Sequence, residues 1–184
     1  MRLNKILKNT LLVISAGIIL TACATKKEVA VDKETPAAPK VETKKEEVTK
    51  IEKIAGQMQG DVYVGTDSVK YLADGVADRV FFATNESILT TASRETLRAQ
   101  AAWLRANSNI TVVLEGHADE RGTREYNLAL GERRANAAKD YLMTYGVSSD
   151  RITVISYGKE RPVDSGSNPL AWSKNRRSVT VKAN

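Results

Sequence analysis

Charged and polar side chains are concentrated in one stretch of the chain, GHADERGTREYNLALGERRA at residues 116–135. His117 and Asp119 stand two positions apart, and Arg134 follows Asp119 by fifteen positions. Four interpretations suit such a set. It could be a catalytic site, a metal site, a solvated surface pinned by an Asp119–Arg134 salt bridge, or a pocket for a ligand that carries both charges.

Catalysis and metal binding are the weaker interpretations. His117 could act as a base, but a nucleophilic mechanism also needs a serine or cysteine held against it, and none stands at a recognised nucleophile motif. His117 is the only histidine in the sequence. The adjacent acids Asp119 and Glu120 do not share a direction, as metal ligands must. A lone histidine of this kind is typical of a hydrogen-bonded structural residue.

The remaining charges suit a ligand that is itself a zwitterion. A carboxylate such as Asp119 pairs with an ammonium group, and a guanidinium such as Arg134 binds a carboxylate through two parallel hydrogen bonds. Asn127 lies one heptad before Arg134, so both side chains share a helix face. The side-chain amide of Asn127, together with the N–H groups at the helix start, would complete the hydrogen bonds to the ligand's carboxylate. An amino acid with free amino and carboxyl groups on one carbon fits this layout. The internal salt bridge stays open as the alternative.

The flanking segments place these charges in a loop between a strand and a helix. Residues 110–116 are a β-branched run that ends in glycine, which predicts a buried strand. Residues 124–145 predict a long helix closed by Gly146. Ligand sites favour such loops because the helix start offers unpaired N–H donors. The helix also carries a narrow stripe of mostly small residues at spacings of three and four: Leu128, Gly131, Ala135, Ala138, Leu142 and Tyr145.

Periodicity elsewhere predicts the other elements. RVFFA at 79–83 is a short strand, and residues 91–107 form a helix with Leu97, Ala101 and Leu104 on one face. ITVISYG and RSVTVK are two further strands. Asn168 and Pro169 are typical of a helix start, which predicts a short helix through Trp172.

The predicted fold class follows from the order of these elements. That order is β-α-β-α-β-β, and right-handed crossovers place both main helices on one face of a mixed sheet. The prediction is therefore a two-layer α/β sandwich, also described as α+β, over residues 79–184. Residues 56–78 stay open, because glycines interrupt an alternating VYVG.

The start of the chain predicts export and lipidation. A basic start, an apolar run and small residues describe a secretory signal at residues 1–22, too short for a permanent membrane span. The tetrapeptide LTAC at 20–23 resembles the lipobox of bacterial lipoproteins, which implies S-diacylglycerol and an N-acyl group on Cys23, the only cysteine. Ala24 stands where an aspartate would resemble an inner-membrane retention signal. We therefore expect a lipid anchor in the outer membrane, facing the periplasm, with no other cofactor and no metal.

Residues 23–55 predict a flexible charged tether. This segment has no aromatic residue and nearly balanced lysine and glutamate, so it cannot bury enough apolar surface to offset its ordering entropy. About thirty extended residues reach on the order of 100 Å. The folded domain can therefore act well away from its membrane.

The overall charge does not indicate a nucleic-acid partner. The chain has 184 residues and a formal net charge of +6. Loss of Arg2, Lys5 and Lys8 with the signal, where no acid precedes Glu28, leaves +3. The remaining basic residues are interspersed with acids, which is typical of a solvated surface and not of a phosphate-binding stripe.

Three segments carry a resemblance to a known family: GHADERGTREYNLALGERRANA, YGVSSDRITVISYGKERP and SKNRRSV. Over residues 80–181 the chain resembles the OmpA-like peptidoglycan-binding domain, and more narrowly it is similar to the peptidoglycan-associated lipoproteins of Gram-negative bacteria. The resemblance implies non-covalent binding of the meso-diaminopimelate stem peptide of peptidoglycan. By position, Asp119 and Arg134 match the ligand residues, and Asn127 and Leu130 match neighbouring pocket positions.

The resemblance also implies protein partners and shows one departure. Family members bind TolB within the Tol–Pal system, which acts in envelope integrity and cell division, on a surface that overlaps the peptidoglycan site. The family's first strand leads into an aspartate-bearing turn, whereas this chain has Thr84 and Asn85 there, which keep hydrogen bonding but not the charge. Two alternatives stay open: a wall hydrolase centred on His117 and Asp119, and a periplasmic adaptor that binds TolB with little wall affinity.

Overall fold

The computed structural model describes residues 56–183, so the predicted signal segment, the lipidation site Cys23 and the tether lie outside the described residues. Within this part no helix is both long and apolar enough to cross a bilayer. A 3₁₀ turn lies at Ser149–Arg151. In chain order the other elements are β1 Met58–Gln59, β2 Val62–Tyr63, β3 Tyr71–Ala73, β4 Val76–Ala77, β5 Arg79–Phe81, α1 Thr91–Ala106, β6 Val112–His117, α2 Arg124–Thr144, β7 Ile152–Gly158, α3 Pro169–Asn175 and β8 Arg177–Lys182.

The central sheet has four strands in the order β5-β8-β6-β7. The strands β6 and β7 are parallel and are connected through α2, whereas β8 is antiparallel to both of its neighbours. In register, Leu114 of β6 pairs with Val154 on one side and Thr180 on the other. The predicted mixed sheet is confirmed. The last strand lies between β5 and β6, where it satisfies the facing backbone N–H and C=O groups of both.

Both long helices pack on one face of this sheet, as predicted, and the hydrophobic core lies between the two layers. The predicted face of α1 is buried there with Leu97, Ala101 and Leu104. Each fully buried aliphatic side chain stabilises the fold by roughly 1.5–3 kcal/mol. The rest of this core is formed by Val80, Phe82, Leu89, Val112, Leu114, Ala135, Ala138, Leu142, Val147 and Ile152.

The strand that was predicted as buried is fully buried on one face only. Val112 and Leu114 of β6 lie under the helices, whereas Val113 and Glu115 are half-buried on the opposite face. The difference arises because successive side chains of a strand point to opposite faces, and both helices cover the same one. The second face of the sheet therefore carries side chains that the helices do not cover.

The strand β6 and the helix α2 cross at two glycines. A Cβ placed on Gly116 would overlap the carbonyl oxygen of Gly131, and one placed on Gly131 would overlap Oγ of Ser156. Gly131 belongs to the predicted small-residue stripe, whose middle part is buried, whereas Leu128 is half-buried and Tyr145 is exposed. The absence of side chains lets the two backbones approach closely and sets the position of the helix start above the sheet end.

The start and the end of α2 are defined by local hydrogen bonds. The hydroxyl of Thr123 accepts from the backbone N–H of Tyr126 at 3.2 Å, which is a helix N-cap. Beyond the last turn Gly146 has a φ of 82°, as predicted for the residue that closes the helix, and its N–H donates to Met143. These contacts fix where the loop between β6 and α2 begins and ends.

The short helix α3 and the residue after it bring Trp172 and Arg176 to the site described below. Asn168 caps it, with Oδ1 accepting from the N–H of Ala171 at 3.0 Å, and Pro169 occupies its first position, as predicted. The helix runs to Asn175, three residues beyond the predicted end at Trp172. Arg176 follows directly and enters the domain interior.

The segment that the sequence left open, residues 56–78, contains two short antiparallel hairpins, β1–β2 and β3–β4. Tyr63 is buried and packs edge-on against Phe81, with ring centroids 4.7 Å apart. Lys174 of α3 forms an ion pair with Asp67 at 2.9 Å. The hairpins therefore pack against the sheet and against α3.

Candidate functional site

The loop between β6 and α2 brings the predicted carboxylate to the end of the sheet. The side chain of Asp119 is 8% exposed, and its Oδ1 accepts from the backbone N–H and the Nε of Arg121 at 3.1 and 3.0 Å. Its Oδ2 accepts from Nη2 of the same arginine at 2.7 Å. The side chain of Arg121 is 42% exposed. Arg121 is thus the solvent-facing partner of a nearly buried acid.

A second guanidinium reaches Asp119 from the protein interior. Arg176 donates from Nη1 to Oδ2 of Asp119 at 3.2 Å, from Nε to the carbonyl of Phe82 at 3.1 Å, and from Nη2 to the carbonyl of Asp61. Burial by itself would raise the pKa of Asp119, but the hydrogen bonds from Arg121 and Arg176 outweigh it and lower that pKa. The carboxylate is therefore ionised at neutral pH.

Arg134 is fully buried and holds three separate segments of backbone. Its side chain is 0% exposed. Its Nε donates to the carbonyl of Glu86 at 2.8 Å, Nη1 to that of His117 at 2.8 Å, and Nη2 to that of Ala83 at 3.0 Å. The guanidinium therefore ties the turn after β5 to the end of β6.

The alternative of an Asp119–Arg134 salt bridge is wrong. Among residues 56–183, the guanidiniums within 4.0 Å of Asp119 are those of Arg121 and Arg176. Burial, followed by repulsion from Arg176, lowers the pKa of Arg134 to about 10, so it still carries its charge at neutral pH. Arg134 lies close enough to interact electrostatically with Asp119, but its hydrogen bonds go to backbone carbonyls.

Asn127 and Leu130 share the buried face of α2 with Arg134, as the helical spacing predicts. The amide Nδ2 of Asn127 donates to the carbonyl of Arg121 at 2.8 Å, which holds the loop against the helix. Leu130 is 3% exposed and packs one turn before Arg134. In this structure the amide of Asn127 bonds the loop. Its role in binding the carboxylate of a ligand stays a prediction.

The turn after β5 presents the other two predicted residues. Asn85 is exposed and has a φ of 58°, a conformation that asparagine tolerates better than most residues. The backbone N–H of Thr84 donates to Oδ2 of Asp61 at 2.6 Å, and its hydroxyl accepts from Nη2 of Arg121 at 3.4 Å. The carboxylate of Asp61, from the β1–β2 hairpin, thus lies at the turn where the resemblance implied an acidic residue.

Four of the predicted binding residues are connected at one end of the domain: Thr84, Asp119 and Asn127 each bond Arg121, and Arg134 bonds the carbonyl of Ala83. Asn85 belongs to the same turn as Thr84, and Leu130 lies on the same buried helix face as Asn127 and Arg134. Three further residues were missed by sequence reasoning: Asp61, Arg121 and Arg176. Arg121 and Arg176 belong to the quoted motifs, so their charge was a visible signal, whereas Asp61 comes from a distant hairpin and carried none. The predicted set consists of Thr84, Asn85, Asp119, Asn127, Leu130 and Arg134.

The rim of this site combines an aromatic ring with a second acid. The guanidinium of Arg121 lies 4.3 Å from the ring centroid of Trp172. The indole N–H of Trp172 donates to Oε1 of Glu120 at 2.8 Å. Lys159 donates to the backbone carbonyls of Glu120 and Gly122. The loop is thereby attached to both α3 and the segment after β7.

His117 lies on the other face of the sheet and forms no dyad with Asp119. Its side chain is 1% exposed, and among the described residues the carboxylate within 4.0 Å is that of Glu115, whose Oε2 is 3.6 Å from Nε2. Neither ring nitrogen has a hydrogen-bond partner in residues 56–183, so the expectation of a hydrogen-bonded histidine is wrong. That part of the chain also contains no cluster of three or more His, Cys, Asp or Glu that could hold a metal ion.

We expect the free energy of unfolding to fall by about 2 kcal/mol between pH 7 and pH 5 because of His117. Burial, followed by the charges of Arg177, Arg79 and Arg161, lowers the pKa of His117 from 6.5 to about 3. The folded state therefore keeps the imidazole neutral, whereas the unfolded chain takes up a proton below pH 6.5. This contribution is complete above pH 6.5 and is lost as the pH falls toward 3.

Urea denaturation of the full chain at the two pH values measures this loss. His117 is the only histidine of the sequence, so a His117→Gln variant removes its contribution while every carboxylate is retained. The pH dependence of His117→Gln should be shallower by about 2 kcal/mol over this interval. An equal pH dependence in both proteins would show that His117 titrates normally in the folded state.

Comparisons with known proteins decide the family. The profile of the OmpA family matches residues 81–176. The peptidoglycan-associated lipoprotein of Pasteurella multocida is 40% identical over 131 residues, which are 71% of this chain and 83% of that protein. The chain belongs to the OmpA family. The OmpA-family match begins in β5, contains the whole loop around Asp119 and ends at Arg176, so it includes the site's main charged residues.

Two further proteins extend this OmpA-family relationship. The peptidoglycan-associated lipoprotein of Mesorhizobium japonicum is 54% identical over 106 residues, 58% of this chain and 63% of that protein, so the chain spans less than two thirds of that relative's length. The crystal structure of the peptidoglycan-associated lipoprotein from Burkholderia pseudomallei superposes with a TM-score of 0.56 at 34% identity, over 58% of this chain and 90% of that one. These likenesses confirm the resemblance and the predicted α/β fold class.

Proposed function

We propose that the domain binds peptidoglycan non-covalently through the zwitterionic end of its diaminopimelate stem peptide. The observation that carries the proposal is the carboxylate of Asp119, which is 8% exposed and is paired with one solvent-facing and one buried guanidinium. The relatives of this chain are named for an association with peptidoglycan. One carboxylate among several guanidiniums is a complementary surface for a ligand that carries an ammonium and a carboxylate group.

Ligand binding requires an exchange at Asp119. The ligand's ammonium replaces the side chain of Arg121, which is exposed and can swing toward solvent, whereas Arg176 is buried and stays in place. The ligand's carboxylate is then held by the guanidiniums that surround Asp119. Arg134 has one N–H on Nη1 and one on Nη2 that are not used by its three backbone carbonyls, but it is 0% exposed, so these groups complete the anion's shell only after Arg121 has moved away.

The domain acts as a binding module and not as a hydrolase. The hydrolase alternative required His117 and Asp119 to work together, yet His117 faces the opposite side of the sheet and Asp119 is paired with arginines. Incubation of the full chain with purified peptidoglycan should release no soluble fragments. Released muropeptides would contradict this part of the proposal.

The whole chain acts as a tether between the outer membrane and the cell wall. The support is in the sequence: a lipobox-like LTAC at residues 20–23 and a polar, charged segment at 23–55. Several acyl chains give a stable anchor, where one gives marginal binding. Confinement near the wall raises the effective concentration of peptide, so weak individual contacts suffice. Participation in the Tol–Pal system, with TolB competing for the site, belongs to this proposal.

The test is a calorimetric titration of the full chain with a diaminopimelate-containing stem peptide. Asp119→Asn should weaken binding by about 30-fold, equivalent to about 2 kcal/mol, because the ammonium loses its anionic partner. Glu120→Gln is the matched control, since it removes an adjacent, exposed negative charge while its amide oxygen can still accept from the indole N–H of Trp172. Its affinity should remain within about threefold of the wild type, a difference smaller than 1 kcal/mol.

Sedimentation with isolated sacculi supplies the second readout. The wild type should co-sediment, and Asp119→Asn should stay in the supernatant. Equal affinities of Asp119→Asn and wild type for the stem peptide would contradict the assignment of the site. Binding to TolB without binding to sacculi would contradict the wall-binding proposal and favour the adaptor.

A further inference from the structure

The face of the sheet that the helices leave uncovered contains a second charged cavity. Arg79 of β5, Arg177 of β8 and the β6 residues Glu115 and His117 line it. The hairpin β3–β4 and the segment at residues 161–163 form its walls, and its volume is about 580 Å³. Small-molecule sites in proteins occupy roughly 300–1,000 Å³.

Positive charge predominates in this cavity. Asp78 neutralises Arg79 in a two-point ion pair, with 2.7 Å from Nε to Oδ1 and 2.8 Å from Nη2 to Oδ2. Glu115 is the other acid of the lining. The basic residues of the lining are Lys70, Arg79, Arg161, Arg177 and Lys182.

Within residues 56–183, Arg177 is a buried cation without an acidic partner of its own. It is 6% exposed, and its Nη1 and Nη2 donate to the backbone carbonyls of Asn175 and Arg161 at 3.4 and 3.1 Å. Its Nε has no hydrogen-bond partner among residues 56–183. A buried N–H of a charged group that lacks a partner is costly, and native proteins rarely leave one.

His117 adds two further atoms without hydrogen-bond partners to the lining of the same cavity. Neither ring nitrogen forms a hydrogen bond within the described part of the chain, although the residue is 1% exposed. The 3.6 Å from Nε2 to Glu115 is too long for a hydrogen bond. A neutral imidazole always carries one N–H, so His117 and Arg177 each offer a buried donor that is not used by any residue in the described part of the chain.

We propose that this cavity is a second binding site, separate from the Asp119 site, which takes the oxyanion of a small ligand. Nε of Arg177 and the ring N–H of His117 are shielded from solvent in the free protein, and they donate to the oxyanion, a carboxylate or a phosphate, once it has displaced the side chains that cover them. Arg161 is an exposed residue of the lining, and its guanidinium lies 3.8 Å from the ring centroid of Tyr157. Neither Asp119 nor any of its hydrogen-bond partners lines this cavity.

The lining also limits which ligands fit. Val163, Val179 and Val181 lie beside the charged floor, and Tyr71 and Leu72 form the hairpin wall. An oxyanion attached to a short carbon skeleton therefore places its charge on the floor and its methylene groups against these side chains. Inorganic phosphate and succinate represent the two sources of the oxyanion.

The single histidine makes the test specific. In the full chain with ¹⁵N-labelled histidine, every imidazole signal belongs to His117. Titration with sodium phosphate or with sodium succinate, at constant ionic strength and pH, should move these signals saturably for at least one of the two anions. Saturation by phosphate alone or by succinate alone supports the site and identifies its preferred oxyanion. No shift, or a non-saturating one equal to that of sodium chloride, would overturn the proposal.

A matched pair of variants separates a built site from general charge screening. Arg161→Gln removes the exposed guanidinium at the cavity entrance and should weaken binding at least fivefold without removing a buried group. Arg94→Gln removes an exposed guanidinium from α1, on the other face of the sheet, and should leave the affinity unchanged. Equal weakening by both variants would contradict the proposal. Loss of the His117 response after saturation with stem peptide would also contradict it, because the two sites would then not be separate.

Discussion

Arg134→Ala is expected to lower the free energy of unfolding by about 3–5 kcal/mol. The side chain is completely buried and supplies the hydrogen bonds for the backbone carbonyls of Ala83, Glu86 and His117. Its removal leaves these carbonyls unsatisfied and opens a cavity between the turn after β5 and the end of β6. Urea denaturation monitored by circular dichroism measures this loss of unfolding free energy.

The neighbouring arginine is the matched control for this prediction. Arg133 is exposed, and its guanidinium lies 5.9 Å from the ring of Tyr126, so Arg133→Ala should change stability by less than about 0.5 kcal/mol. Arg134→Lys should fall between the two alanine variants, because an ammonium keeps the charge but cannot reach three separated carbonyls in one plane. A loss below about 1 kcal/mol in Arg134→Ala would show that the guanidinium does not hold the backbone.

Gly116→Ala is expected to destabilise the domain by about 3 kcal/mol or more. The added Cβ would overlap the carbonyl oxygen of Gly131, which belongs to the backbone of α2 and cannot rotate away. The helix would have to move away from β6, and this would separate the layers that enclose the core. The thermal midpoint and the urea midpoint should both fall, and loss of the folded signal altogether would have the same meaning.

Gly131→Ala provides a graded comparison at the same crossing. Its added Cβ meets first the hydroxyl of Ser156, a side chain that can rotate, and then the carbonyl oxygen of Gly116 at 2.9 Å. The expected loss is therefore smaller than for Gly116→Ala, and Ser156→Ala should recover part of it. Wild-type stability of Gly116→Ala would mean that strand and helix are farther apart than the structure shows.

The distribution of charges around Asp119 connects stability with binding. Arg176 and Arg134 are buried cations, and the ionised carboxylate of Asp119 offsets part of their mutual repulsion. Replacement of Asp119 therefore affects folding as well as ligand affinity, which is why the binding experiment needs a parallel measurement of stability. When Arg121 leaves Asp119, its guanidinium, which is already 42% exposed, regains contact with water, and the ligand's ammonium takes over as partner of the nearly buried carboxylate.

Local patterns in the sequence determined most of the secondary structure. The helices α1 and α2, the strand β6, and the Asn168–Pro169 helix start all follow from side-chain spacing or from the conformational preferences of one or two residues. The same spacing placed Asn127, Leu130 and Arg134 on one helix face. These features depend on neighbours a few positions apart, and such neighbours are visible in the chain.

Tertiary structure alone decided which charges pair. Asp119 and Arg134 have opposite charges on adjacent elements, yet Asp119 bonds Arg121 and Arg176 while Arg134 bonds backbone carbonyls. Asp61 reaches the site from a hairpin that precedes the sheet. A buried guanidinium binds the backbone carbonyls that packing has removed from water. Those carbonyls come from segments far apart in the chain. Sequence spacing gives the face on which a side chain lies, whereas its partner depends on the three-dimensional packing of that face.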